Sequence, residues 1–191
     1  ARLFRDNKEI PQNQDALAYY PTFQLDPNPA TYRLETTETQ APGPVAGAIS
    51  ATLFTLAPRT DTTWTFKSQR SLNPPPRGYS CHQGQPACQF QPLIQLRHDL
   101  PLDLTNSAPA GKPFVYHVYA TTSAPITVVK VQWSTDGMKW QDAKIQPAGD
   151  RWQVTIDKPA GDVSLRTEAR DGAGNTVTQT MQKAFRTYSG G

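Results

Sequence analysis

Three histidines, His82, His98 and His117, and two cysteines, Cys81 and Cys88, are the side chains of this sequence best suited to bond-making chemistry. A nucleophilic hydrolase needs a Ser or Cys beside a His and an acid, on a glycine-lined turn that exposes the nucleophile. No Gly-x-Ser-x-Gly occurs and the histidines are scattered, so no catalytic residue is expected. His98-Asp99 is a tempting dyad, but neighbours on an extended strand point to opposite faces and do not easily bond side chain to side chain. His117, between Tyr116 and Val118, reads as a plain strand-face histidine. His-Glu-x-x-His, Cys-x-x-Cys and EF-hand signatures are missing, so neither a metal set nor a cofactor is expected. Asp171-Gly172-Ala173-Gly174-Asn175 resembles a calcium-loop fragment without its alternating carboxylates or terminal Glu, and reads as a hairpin turn. A calcium ion held between separate turns by Asp136, Asp150 or Asp171 stays open at this point.

Cys81 and Cys88 flank His82-Gln83-Gly84-Gln85-Pro86-Ala87 with no ligand cluster nearby, which favours a small-loop disulfide made in an oxidising compartment over a metal half-site. Gly84 and Pro86 let the chain reverse there. The bridge would staple a long loop, 68–91, that also holds Asn73-Pro74-Pro75-Pro76-Arg77-Gly78. What remains is the chemistry of contact. Four tryptophans and seven tyrosines offer a stacking platform for a sugar or an extended peptide. Trp133 and Trp152 fall in phase with the apolar residues of their strands and are expected in a core. Trp140, just past a turn, is the candidate for an exposed binding residue, together with Tyr79 and Arg77 in the stapled loop.

The elements that must position these residues are short and extended. Eighteen prolines in 191 residues, roughly double the average usage, leave few windows for a helix. Hydrophobic residues make up 37% and charged ones 18%, a β-rich and extracellular-looking composition. The net charge of +3 comes from 19 basic and 16 acidic residues without runs, so no nucleic-acid footprint is expected. Apolar stretches fall far short of the roughly 18 residues of a spanning helix. Ala1-Arg2-Leu3-Phe4-Arg5 lacks the features of a signal peptide, so any export signal is expected to be removed or upstream.

Alternating or β-branched runs at 163–170, 176–181, 129–133, 151–156 and 114–118 predict strands, with Thr135-Asp136-Gly137 as a turn after which Met138-Lys139-Trp140 begins a return strand. Runs at 30–37, 50–56, 62–67 and 93–96 predict further strands, and 12–20 the only helical turn. The expected fold is all-β: two antiparallel β-sandwich domains in tandem, an irregular one at 1–100 with the stapled loop and an immunoglobulin- or fibronectin III-like sandwich at 101–191. The linker is expected near 105–111.

Val131-Gln132-Trp133-Ser134-Thr135-Asp136-Gly137-Met138-Lys139-Trp140, then Arg151-Trp152-Gln153-Val154-Thr155, then the run from Val163 into Asp171-Gly172-Ala173-Gly174-Asn175, resembles the C-terminal sandwich of large secreted actinobacterial subtilisin-like serine peptidases. Tyr32-Arg33-Leu34, Thr62-Thr63-Trp64-Thr65-Phe66-Lys67-Ser68 and Leu93-Ile94-Gln95-Leu96 resemble the β-domain that precedes it in those enzymes. The Cys81–Cys88 insertion and its triple proline depart from that pattern. The triad of such peptidases belongs to an upstream domain, and nothing here matches its motifs. The resemblance implies a non-catalytic C-terminal accessory module of a secreted peptidase, acting in stability, substrate positioning or attachment, whose partner is a peptidase catalytic domain or a protein substrate; a monomer is expected. The rival expectation is a stand-alone binding protein, either a carbohydrate-binding or adhesin-like sandwich or a peptidase inhibitor that uses the Cys81–Cys88 loop.

Overall fold

A computed structural model describes residues 1–13, 21–40, 56–81 and 84–188. The strand expected at 50–56 and the helical turn expected at 12–20 lie largely outside these residues. The described residues form β1 (Arg2–Arg5), β2 (Lys8–Ile10), β3 (Ala30–Thr39), β4 (Arg59–Ser68), β5 (Gln95–Asp99), β6 (Ser107–Pro109), β7 (Phe114–Thr121), β8 (Ile126–Ser134), β9 (Gln141–Asp142), β10 (Lys144–Ala148), β11 (Arg151–Ile156), β12 (Asp162–Asp171) and β13 (Thr176–Tyr188). The architecture is all-β, as expected. One sheet has the order β2-β1-β3-β4-β13-β12-β8-β9, with β6 parallel to the end of β13, and the other has the order β10-β11-β7-β5.

Period-two patterning explains the layering. Val131 and Trp133 on β8, Val163 and Leu165 on β12 and Phe185 on β13 face Phe114, Tyr116 and Val118 on β7 and Val154 and Ile156 on β11, forming the main core between the sheets. A second cluster, Ile94, Ala120, Ala169 and Val177 bordered by Trp64 and Trp152, continues it. The smaller sheet covers only part of the larger one. Under the N-terminal strands, Leu3, Tyr32 and Phe66 are covered instead by Phe23 and Leu93.

The division expected at residue 100 does not separate the sheets. β13 pairs with β4 from Thr176↔Thr65 to Met181↔Thr60, so strands from both halves share one hydrogen-bonded sheet. β5, from the first hundred residues, pairs with β7 of the other sheet. The expected linker is likewise tied in, because Ser107 to Pro109 forms β6 against β13. The return strand after Trp140 is only β9; Ala143 then carries the chain across to the other sheet, where β10 pairs with β11. No sequence signal had marked β1 and β2, a hairpin whose Asp6 and Asn7 both have positive φ (48° and 67°), the conformation a two-residue type I′ turn demands.

Candidate functional site

The described residues between β4 and β5 contain no strand and carry the disulfide. Cys81 and Cys88 are bonded with their Cα atoms 5.8 Å apart, as expected. The main chain around the bridge is pinned: Cys88 N–H donates to the Asn73 carbonyl (3.1 Å), Gly84 N–H to that of Cys81 (3.2 Å) and Tyr79 N–H to that of Pro76 (3.0 Å). The far end is anchored by Ile94, fully buried, whose carbonyl accepts from Trp64 Nε1–H at 2.8 Å.

Two aromatic rings stand on this staple. Tyr79 and Phe90 meet edge to face, centroids 4.8 Å apart and planes at 87°, yet remain 62% and 64% exposed. Leu72 is 84% exposed, and Arg77 is exposed beside Gly78. Tyr79 is two residues before Cys81 and Phe90 two after Cys88, so the bridge sets the pair in register. Phe90 and Leu72 escaped the sequence reading, although that symmetric spacing was visible in it. Beside the staple runs a groove of about 570 Å³ between Gln24, Leu25, Asp26 and Pro27 on one bank and Gln69, Arg70, Gln89 and Gln91 on the other. Asp26 in its wall is held below the ordinary carboxylate range by the Asn28 amide and by Arg5, 3.3 Å away.

Trp140 is not part of this surface. It is half-buried on the outer face of the larger sheet, where the Arg166 guanidinium carbon lies 4.0 Å from its ring centroid. With Thr135, Asp136, Asp162, Ser164, Thr180 and Lys183 it lines a separate cavity of about 580 Å³. Asp136 is fixed by the Lys139 and Met138 amides (2.7 and 2.8 Å) and the Ser134 hydroxyl (2.9 Å), which lower its pKa. Asp162 is lowered by the bond from Arg186 (2.6 Å) and by Lys183 (3.3 Å). A bulge in β13, where the register jumps between Phe185 and Met181, places Lys183 at φ 47° with its N–H on the buried Ser164 hydroxyl (3.0 Å). Arg166, an outward residue of β12, also went unread in the sequence.

The tryptophans expected inside divide. Trp133 is 8% exposed in the main core, whereas Trp152, in phase with Val154 and Ile156, is only half-buried at its margin. His98 and Asp99 do point to opposite faces of β5. His98 turns inward, where Nε2 shares a 2.9 Å hydrogen bond with Thr167 Oγ1 on the facing sheet, and burial pushes its pKa down to about 4. Asp99 is exposed, and His117 is half-buried on the outer face of β7. Asp171 is spent within its own turn, accepting from the Ala173 and Asn175 amides (3.0 and 2.8 Å) and from Asn175 Nδ2 (2.8 Å), which makes the segment the hairpin turn the sequence predicts. Among the described residues no three His, Cys, Asp or Glu side chains gather as a metal site, and no helix is long and apolar enough to cross a membrane.

Comparison with protein-family models and with curated proteins finds no match.

Proposed function

We propose that this chain is a non-catalytic accessory module of a secreted subtilisin-like serine peptidase, and that the stapled loop is the surface it presents to the catalytic domain or to a protein substrate. One observation carries the reading: Tyr79, Phe90 and Leu72 are held in water on a loop that a disulfide and main-chain hydrogen bonds restrain. Large apolar groups kept exposed at fixed positions suit a protein contact, since little conformational freedom is lost when they are covered. The edge-to-face rings offer no coplanar platform, which argues against stacking on a glycan. The strand succession from β7 to β13, read as immunoglobulin- or fibronectin-like, and the Cys81–Cys88 bridge fit a secreted module of this kind.

Sequencing the coding DNA upstream of Ala1 tests the parentage, and an upstream region without a subtilisin-type catalytic domain would sink it. The surface is tested by biolayer interferometry of the chain against active-site-blocked subtilisin. Saturable binding weakened at least tenfold by Tyr79→Ala or Phe90→Ala is expected. Absence of binding overturns the contact reading, and tight inhibition of active subtilisin replaces it with the inhibitor.

A further inference from the structure

The cavity under the β8–β9 turn is built around a cation without an anion. We propose that it binds a carboxylate carried by a peptide, with Arg166 as the anchoring group; this rests on different residues from the accessory reading and does not depend on it. Trp140 supports the Arg166 guanidinium from one side, and Arg166 Nε–H donates to Thr180 Oγ1 at 3.4 Å. Both contacts orient the head while leaving its terminal N–H groups unspent. Among the described residues no carboxylate lies within 4.0 Å of it; Arg70, Arg77, Arg97, Arg151 and Arg170 are likewise without one, but of these arginines only Arg166 lines this cavity.

The charges around the cavity define the guest. Asp162 is already engaged by Arg186 and Lys183, and Asp136 by its own turn. The charged side chains that line the cavity, Arg166 and Lys183 against Asp136 and Asp162, sum to zero, but both carboxylates are engaged elsewhere, which leaves the Arg166 charge without a partner. A single carboxylate balances it and matches the planar guanidinium fork bidentately. A phosphate would bring a second charge toward Asp136 and Asp162. A pyranose finds the Trp140 face on the Arg166 side covered. Thr135 and Gln182 on the rim can donate to and accept from the peptide groups on either side of the carboxylate.

The test is a ¹⁵N–¹H NMR titration of the whole chain with Ac-Ala-Ala-Ala-OH, Ac-Ala-Glu-Ala-NH2 and the uncharged Ac-Ala-Ala-Ala-NH2. At least one acidic peptide should shift the Trp140 indole N–H and the Gly137, Thr180 and Gln182 amides saturably, and which one does so tells a chain terminus from a side chain. The uncharged peptide should leave them in place. Arg166→Gln should weaken binding at least tenfold. Because that change also uncovers Trp140, Lys183→Gln serves as a second variant that keeps the stack, and it should weaken binding several-fold. Unsaturable shifts, an equal response to the uncharged peptide, a larger response to methyl phosphate or diacetylchitobiose, or affinity unchanged in both variants would overturn the proposal.

Discussion

His98 makes acid the sharpest probe of the join between the sheets. Its ring lies against Thr167, which is 1% exposed, and near the Tyr116 ring, 6.3 Å away centroid to centroid. In the unfolded chain it takes its proton near the ordinary 6.5, and in the folded protein only at about 4. Between those values the unfolded state binds more protons, so stability rises with pH across the window and is lost as pH falls through it. Integrating the two titrations gives a loss of about 1.4 kcal/mol by pH 5.5 and about 2.5 kcal/mol by pH 4.5, relative to pH 7.5. His98→Gln keeps a hydrogen-bonding partner for Thr167 but cannot take up the proton. Urea unfolding of both proteins at these pH values cancels the other histidines in the difference. The depressed carboxylates, Asp61, Asp136 and Asp162 among them, belong to a lower window, because their stabilising effect is full above the ordinary 3.8 and is lost below it. A wild-type minus variant difference that stays constant from pH 7.5 to 4.5 would show that His98 does not sit neutral between the sheets.

Two further changes test the core and the staple. Trp133→Ala should cost about 3 to 5 kcal/mol and Trp152→Ala measurably less, in line with their unequal burial; equal losses of melting temperature would contradict the packing described. Reduction of Cys81–Cys88 should cost about 2 to 3 kcal/mol by the loop-closure relation. It should speed proteolysis between 69 and 94 while amide exchange of β12 and β13 stays slow, and a global loss of protection would mean the staple supports the whole fold.

The strands with strict alternation were legible to within a few residues. β11 coincides with the predicted 151–156, and β3, β4, β7, β8 and β12 contain their predicted cores, because burying one face of a sheet forces period two on the sequence. What alternation does not carry is which strands pair. Nothing in 62–67 names 176–181 as its neighbour, so a division into two domains at residue 100 looked natural and a shared sheet did not. β6, β9 and β10 are too short, or interrupted by Pro109 and Pro147, to register as periodic runs. The candidate surfaces were half legible for the same reason. Tyr79 and Arg77 stood out beside the cysteines, but the stack on Trp140 joins a strand and a turn 26 residues apart, and only the fold brings Arg166 there.

The pairing of β13 with β4 orders events in time as well as in space. Gln179 reaches Thr62 across 117 residues of chain, so closing that ladder requires ordering a very long loop before any bond rewards it. High contact order of this kind puts folding toward the slow, millisecond-to-second end of the scale. Until Thr176 and its successors arrive, β4 carries a row of unpaired amides and carbonyls open to another chain, and β12 waits with its own. The same strand, once docked, seals both edges at once. A nascent chain halted ahead of it would therefore present two aggregation-prone borders.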